Sequence, residues 1–114
     1  MHIRSLSEQG KQWWLVQPYD PIVWGVNNVD DIAWMNRHLS LMPWHTHDRP
    51  IRINNQKAKK IPKSYISCIE YKDLHFMAQK VKLQLGWDCH ELKTGHDAMI
   101  TVPNEFVQLL EALI

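Results

Sequence analysis

The chain has 114 residues, 45% of them hydrophobic and 22% charged, which is the size and composition of one globular domain. Thirteen basic and twelve acidic side chains leave a net charge of +1, which excludes a strong overall field toward nucleic acid or an anionic membrane. No apolar run approaches the roughly 18 residues that span a bilayer, and residues 1–10 have no signal-peptide core. Because Cys68 and Cys89 show no metal or disulfide spacing, we predict a cytoplasmic protein without metal or cofactor.

The first fifty residues predict helix and loop rather than strand. Residues 1–12 are polar and aperiodic, which indicates a frayed or partly helical lead-in, and residues 13–16 form an apolar patch typical of a lid. Residues 28–31 can cap a helix whose apolar stripe runs to Leu39 and which Pro43 ends. We therefore predict a cap-like helical and loop segment over residues 1–50.

Two further stretches invite a ligand interpretation. His45, His47 and Asp48 lie in a predicted loop, and two histidines one residue apart can ligate zinc, but spacing fixes no third ligand. Residues 56–63 carry four lysines without the interleaved aromatic side chains that stack on nucleic-acid bases. We therefore predict neither a metal site nor a nucleic-acid partner.

Residues 51–114 predict the order strand, helix, strand, helix. Residues 65–69 are a short apolar run typical of a strand buried on both faces, residues 73–85 form a helix closed by Gly86, and residues 87–92 are the second strand. This βαβα order implies parallel strands joined by a right-handed crossover, and hence the α/β class.

A loop with an exposed histidine follows the second strand. Gly95 supplies a tight turn, His96 comes next, and Asp97 can brace the loop through a side-chain to backbone bond. A helix begins at Pro103 with Thr101 as its N-cap. Ligands and catalytic groups collect in such loops at the carboxyl ends of strands, so His96 is the leading functional candidate.

Two parallel strands do not make a stable sheet, because each needs neighbours in the hydrogen-bonding direction. The first sixty residues offer little that predicts further strand. The sequence therefore predicts an incomplete sheet, which either extends a larger sheet or pairs with another chain.

Several stretches resemble the carboxyl-terminal half of α/β-hydrolases, in the branch of small esterases and hydroxynitrile lyases. They are residues 61–68 (IPKSYISC), 86–87 (GW), 91–103 (ELKTGHDAMITVP) and 109–110 (LL). Upstream, residues 14–16, 24–26, 31–34 and 39–43 resemble the end of the cap that covers the active site of this family. The resemblance implies an α/β-hydrolase sheet in its βαβα part, preceded by a cap remnant.

In that family a serine on a Gly-x-Ser-x-Gly elbow attacks a carbonyl, a histidine takes its proton, and an acid orients the histidine. His96 matches the histidine. The elbow is absent, because no serine has glycine two residues to either side (Ser5, Ser7, Ser40, Ser64, Ser67). The resemblance thus implies a serine esterase-like acyl hydrolase, acting on a small ester, whose serine lies on another segment or polypeptide.

The acid is open. Relatives place an aspartate about three residues past the strand cysteine, where this chain has Tyr71. Glu70 and Asp73 flank that position, and either could be the acid. Asp73 could instead cap the following helix, or a segment outside this chain could supply the acid.

Two other interpretations compete with the hydrolase half. The chain could be a non-catalytic remnant or interaction module that forms a homo-oligomer through its open sheet edge. A Cys68–His96 pair could imitate a thiol hydrolase, although nothing in the sequence supplies an oxyanion hole.

Overall fold

The computed structural model describes residues 14–114; the predicted lead-in over residues 1–12 and the start of the apolar patch lie outside the described residues. The strands are β1 (Leu15–Val16), β2 (Met42–Pro43), β3 (Lys63–Cys68) and β4 (Trp87–Leu92). The helices are α1 (Val29–His38), α2 (His45–Asp48), α3 (His75–Lys82), α4 (Ala98–Thr101) and α5 (Pro103–Ala112), with 3-10 turns at Pro21–Trp24, Ala58–Lys60 and Lys72–Leu74. The protein is thus a mixed helix-and-strand fold with two small sheets, consistent with the α/β class.

The two sheets differ in how far the sequence predicted them. β3 and β4 pair in parallel from Lys63 opposite Trp87 to Cys68 opposite Leu92, which confirms the parallel arrangement. β1 and β2 form an antiparallel pair that the sequence did not predict. Within residues 14–114, β3 and β4 have only each other as strand partners. Both outer edges of the parallel pair therefore present unpaired backbone groups in the described part of the chain.

The first long helix confirms its predicted start. The Asn28 side chain accepts hydrogen bonds from the N–H groups of Asp30 and Asp31, at 2.9 and 3.1 Å. α1 ends at His38, within one residue of the predicted end of its apolar stripe at Leu39, but Pro43 does not end it, since Leu39 already has extended backbone angles. Pro43 instead lies in β2, so the chain leaves the helix well before the proline.

The helix between the parallel strands is shorter than the predicted span of residues 73–85. Asp73 lies in the 3-10 turn that precedes α3, and Leu74 occupies the N-cap position without a side-chain hydrogen bond. Asp73 is therefore not a helix cap. After α3, Gly86 adopts a φ of 81°, a conformation that glycine reaches without steric cost.

The end of the chain corrects the predicted role of Thr101. Pro103 does open α5, but Val102 is the N-cap residue and Thr101 belongs to α4. The Thr101 hydroxyl hydrogen-bonds the Thr94 hydroxyl and the Asp97 carbonyl. Thr101 therefore fastens the loop that carries His96 instead of starting the last helix.

The core of the described chain is small. Its buried hydrophobic side chains are Val16, Val26, Met35, Ala78, Val81 and Ala98. The prediction that β3 is buried on both faces is wrong, because α3 packs on the β3–β4 pair and most β3 side chains remain half-buried. No residue of α5 is buried, and its apolar Val107 and Leu110 are exposed. No helix within residues 14–114 is long and apolar enough to cross a membrane.

Candidate functional site

His96 lies in the loop between β4 and α4, at the carboxyl end of a parallel strand, as predicted. It is not exposed, however, and that prediction is wrong. Its ring packs against the rings of Tyr71 and Trp24, with centroid separations of 5.0 and 5.5 Å. Its backbone N–H donates to the Trp24 carbonyl at 2.7 Å. The turn at Trp24, far away in sequence, therefore fixes both the backbone and the ring of His96.

A close contact between two glycines makes this arrangement possible. Gly25 has a φ of 81° and lies against Gly95. A Cβ atom added to Gly95 would lie 2.5 Å from the Gly25 carbonyl oxygen and 2.9 Å from that of Trp24. Gly95 is required because any side chain there would push the two backbones apart.

The loop is also braced, but not in the predicted way. Asp97 was expected to act through its side chain, yet its backbone carbonyl accepts from the N–H groups of Ile100 and Thr101 and from the Thr101 hydroxyl. Asp97 makes no side-chain cap bond to α4. The brace is therefore a main-chain one, which leaves the carboxylate as a nearby negative charge.

Two tyrosine rings pack against Trp24, which itself contacts the ring of His96. Tyr19 meets Trp24 edge to face at 5.5 Å, and Trp24 lies 6.2 Å from Tyr71. The sequence carried one signal for this cluster, the Trp24-Gly25 pair within the cap-like resemblance, but its contact with His96 was missed. Tyr71, which stands at the position predicted for the acid, contacts His96 through its ring.

A cavity of about 190 Å³ opens beside His96. It is lined by side chains from β3, from the turn after it and from the histidine loop: Tyr65, Ile66, Ser67, Cys68, Tyr71, Leu74 and His96. A cavity of 150 Å³ holds benzene, so this one has room for a small acyl group. Among the described lining residues, the one histidine is His96, the predicted proton acceptor.

Cys68 is placed and protonated in a way that argues against thiol chemistry. Its sulfur points to the backbone carbonyl of His96 at 3.7 Å, not to the ring. Burial, with a smaller contribution from the Asp97 charge, raises the pKa of the Cys68 thiol above its ordinary value of 9.0, against an opposing hydrogen bond from Ala98. The thiolate is the nucleophilic form, so the thiol is inert near neutral pH.

The two candidate acids flank the cluster without reaching the histidine ring. Glu70 is exposed, and its backbone N–H donates to the Thr94 carbonyl at 3.1 Å. Asp73 is exposed and lies near Tyr71. Over residues 14–114 neither carboxylate makes a hydrogen bond or ion pair with the ring of His96. The assignment of either as the acid stays a prediction.

The Tyr71 phenol is expected to ionise at a higher pH than a free tyrosine. Partial burial first, and then the carboxylates of Asp73 and Asp97, raise the pKa of Tyr71 above its ordinary value of 10.0. Since the pKa is raised in the folded state, the stabilising contribution of Tyr71 is complete below pH 10.0 and is lost as the pH rises through the folded pKa.

Spectrophotometric titration of tyrosinate measures the pH at which Tyr71 ionises. Subtracting the titration curve of the Tyr71→Phe variant from that of the wild type isolates the Tyr71 step. Asp73→Asn should move that step to lower pH, because it removes the nearest negative charge. A Tyr71 step unchanged by Asp73→Asn would show that the carboxylate does not act on the phenol.

The segment considered for metal is a short helix, not the predicted loop. Its His45 Nδ1 lies 3.7 Å from a carboxylate oxygen of Asp48, and both side chains are about half exposed. Residues 14–114 contain no group of three histidine, cysteine or acidic side chains placed to hold a metal ion.

No described protein family, no curated protein and no solved structure matches this chain. What the site can do must therefore be argued from its own residues. It offers an imidazole in the loop after a parallel strand, packed against two aromatic rings and lining a small cavity.

Proposed function

We propose that the chain is the carboxyl-terminal half of an α/β-hydrolase-like acyl hydrolase, and that His96 accepts a proton from a serine carried by a separate half-domain. One observation carries the proposal. His96 follows the last strand of a parallel pair, beside a small cavity, and the pair has no further strand partners in residues 14–114. The substrate class is a small ester.

The chemistry needs a neutral imidazole within reach of a hydroxyl. The ring of His96 would take the serine proton as the serine oxygen attacks the ester carbonyl, and would return it to the leaving alkoxide. The rings of Trp24 and Tyr71, each tilted 36° to the imidazole, restrict its orientation. Such restriction favours proton transfer, because the acceptor is held near its productive position before the substrate arrives.

The described surfaces support a missing partner. Both outer edges of the β3–β4 pair present backbone groups that another strand could satisfy. Helix α5 buries none of its residues, and its apolar Val107 and Leu110 are exposed. A half-domain that continues the sheet would cover apolar surface and pair backbone groups at the same time.

A second candidate is a non-catalytic module that uses the same open edge to bind a partner. The absence of a carboxylate on the His96 ring within residues 14–114 favours it. A histidine packed against two aromatic rings can serve as a structural contact alone. The two candidates share the partner surface and differ in whether the imidazole transfers a proton.

One mixing experiment distinguishes the hydrolase half from the interaction module. The chain is mixed with an α/β-hydrolase amino-terminal half that bears a Gly-x-Ser-x-Gly elbow. Sedimentation velocity reports complex formation, and p-nitrophenyl acetate hydrolysis reports acyl transfer. A one-to-one complex that hydrolyses the ester, with neither half active alone, is the expected result. A complex without turnover would favour the interaction module, and no association would contradict both candidates.

A further inference from the structure

A second cavity, of about 470 Å³, is lined by Tyr19 and Trp24 of the aromatic cluster together with side chains from β1, β2 and the residues around them. It shares no lining residue with the cavity beside His96. We infer that it binds a neutral, largely apolar molecule of one or two rings that carries a single hydrogen-bonding group. This inference is separate from the proposed acyl transfer, which does not use this cavity.

The fold builds most of the wall from apolar side chains. They are Val16, Pro18, Tyr19, Trp24, Leu39 and Met42. Val16 and Met42 are directly opposed in the β1–β2 pair, so both side chains extend from the same face of that small sheet. A hydrogen bond of 2.7 Å from the Trp44 N–H to the Trp14 carbonyl extends this pairing. The cavity wall is therefore supported by main-chain hydrogen bonds, not by loose side-chain packing alone.

The polar part of the wall defines the chemistry of the ligand. Its hydrogen-bonding side chains include Gln17, His47 and the hydroxyl of Tyr19, each of which can donate and accept. Within residues 14–114 the lining contains no aspartate, glutamate, lysine or arginine. A charged molecule would lose its hydration without gaining a counter-ion, so a neutral ligand with one hydroxyl or carbonyl fits better.

Volume sets the size of the ligand. A cavity of 150 Å³ accommodates benzene, and this cavity is about three times as large. Two fused rings with one substituent fit within it, and about eleven non-hydrogen atoms at roughly 0.5 kcal/mol each, between the ceiling for the best small ligands and the value for drug-sized ones, give a Kd on the order of 100 µM.

Equilibrium dialysis of the full chain against 2-naphthol tests the inference. Leu39→Trp should fill the cavity and weaken binding by at least about tenfold, because the indole occupies the ligand volume. Leu41→Trp is the matched control. Leu41 is similarly exposed, at 47% against 39% for Leu39, and does not line the cavity, so its Kd should stay within about twofold.

A second variant tests the hydrogen-bonding group. His47→Phe should weaken 2-naphthol by roughly threefold to tenfold and leave 2-methylnaphthalene nearly unchanged, since only the hydroxyl needs the imidazole. Absence of saturable 2-naphthol binding up to about 1 mM, or equal weakening by both tryptophan variants, would overturn the inference. Since the probes are not esters, either result leaves the proposed hydrolysis untouched.

Discussion

Gly95→Ala is expected to destabilise the folded chain by about 2–3 kcal/mol, in the upper part of the range for overpacked sites. The new Cβ would meet three backbone atoms, the nearest at 2.5 Å from the Gly25 carbonyl oxygen. Backbone atoms cannot rotate away as a side chain can, so the turn at Gly25 and the histidine loop must separate. The urea midpoint of unfolding, followed by tryptophan fluorescence, measures the loss.

Gly86→Asn provides the comparison. A Cβ at Gly86 meets nothing within 4 Å, and asparagine tolerates the left-handed conformation of that residue. Its cost should stay below about 1 kcal/mol. Equal destabilisation by the two variants would mean that the backbone contact does not hold the loop.

His96→Ala should reduce ester hydrolysis by the completed enzyme about 10²- to 10⁴-fold, the usual contribution of a general base. The same change also removes the ring that packs on Trp24 and Tyr71, so folding has to be controlled. His96→Phe retains an aromatic ring at that position but cannot accept a proton. If His96 is the base, the two variants lose activity alike while His96→Phe retains more stability.

His75→Ala is the matched histidine control for this assay. His75 is exposed and its ring nitrogen bonds the Ile69 carbonyl at 3.0 Å, away from the cavity wall. It should keep turnover within about twofold of the wild-type value. Ester hydrolysis that survives His96→Phe would remove the catalytic role and leave the interaction module.

Local chemistry explains which parts of the fold the sequence predicted. Asn28 caps α1 through its own side chain, and residues 87–92 form a short run with Trp87, Cys89 and Leu92 that suits a strand. The parallel pairing of β3 with β4 followed from the helix between them, because a crossover of that length makes the strands run in the same direction. These features depend on neighbours in sequence.

The features that were mispredicted depend on distant contacts. β1 and β2 are two residues each, too short for any periodic signal. His96 appeared exposed in sequence because Trp24, which covers it, is not a neighbour along the chain. The role of Thr101 was missed for the same reason, since its hydroxyl partner Thr94 lies on the other side of the loop. The sequence therefore pointed to His96 as a functional candidate, but it did not predict the residues that pack around its ring.

The approach of Gly25 to Gly95 has a kinetic consequence. These residues are about seventy positions apart, so bringing them together costs about 1 kcal/mol more loop-closure entropy than joining β3 to β4. The strand pair can therefore assemble before the turn docks, and the imidazole acquires its fixed position in a late folding event. The same order in reverse would release His96 early, while β3 and β4 are still paired.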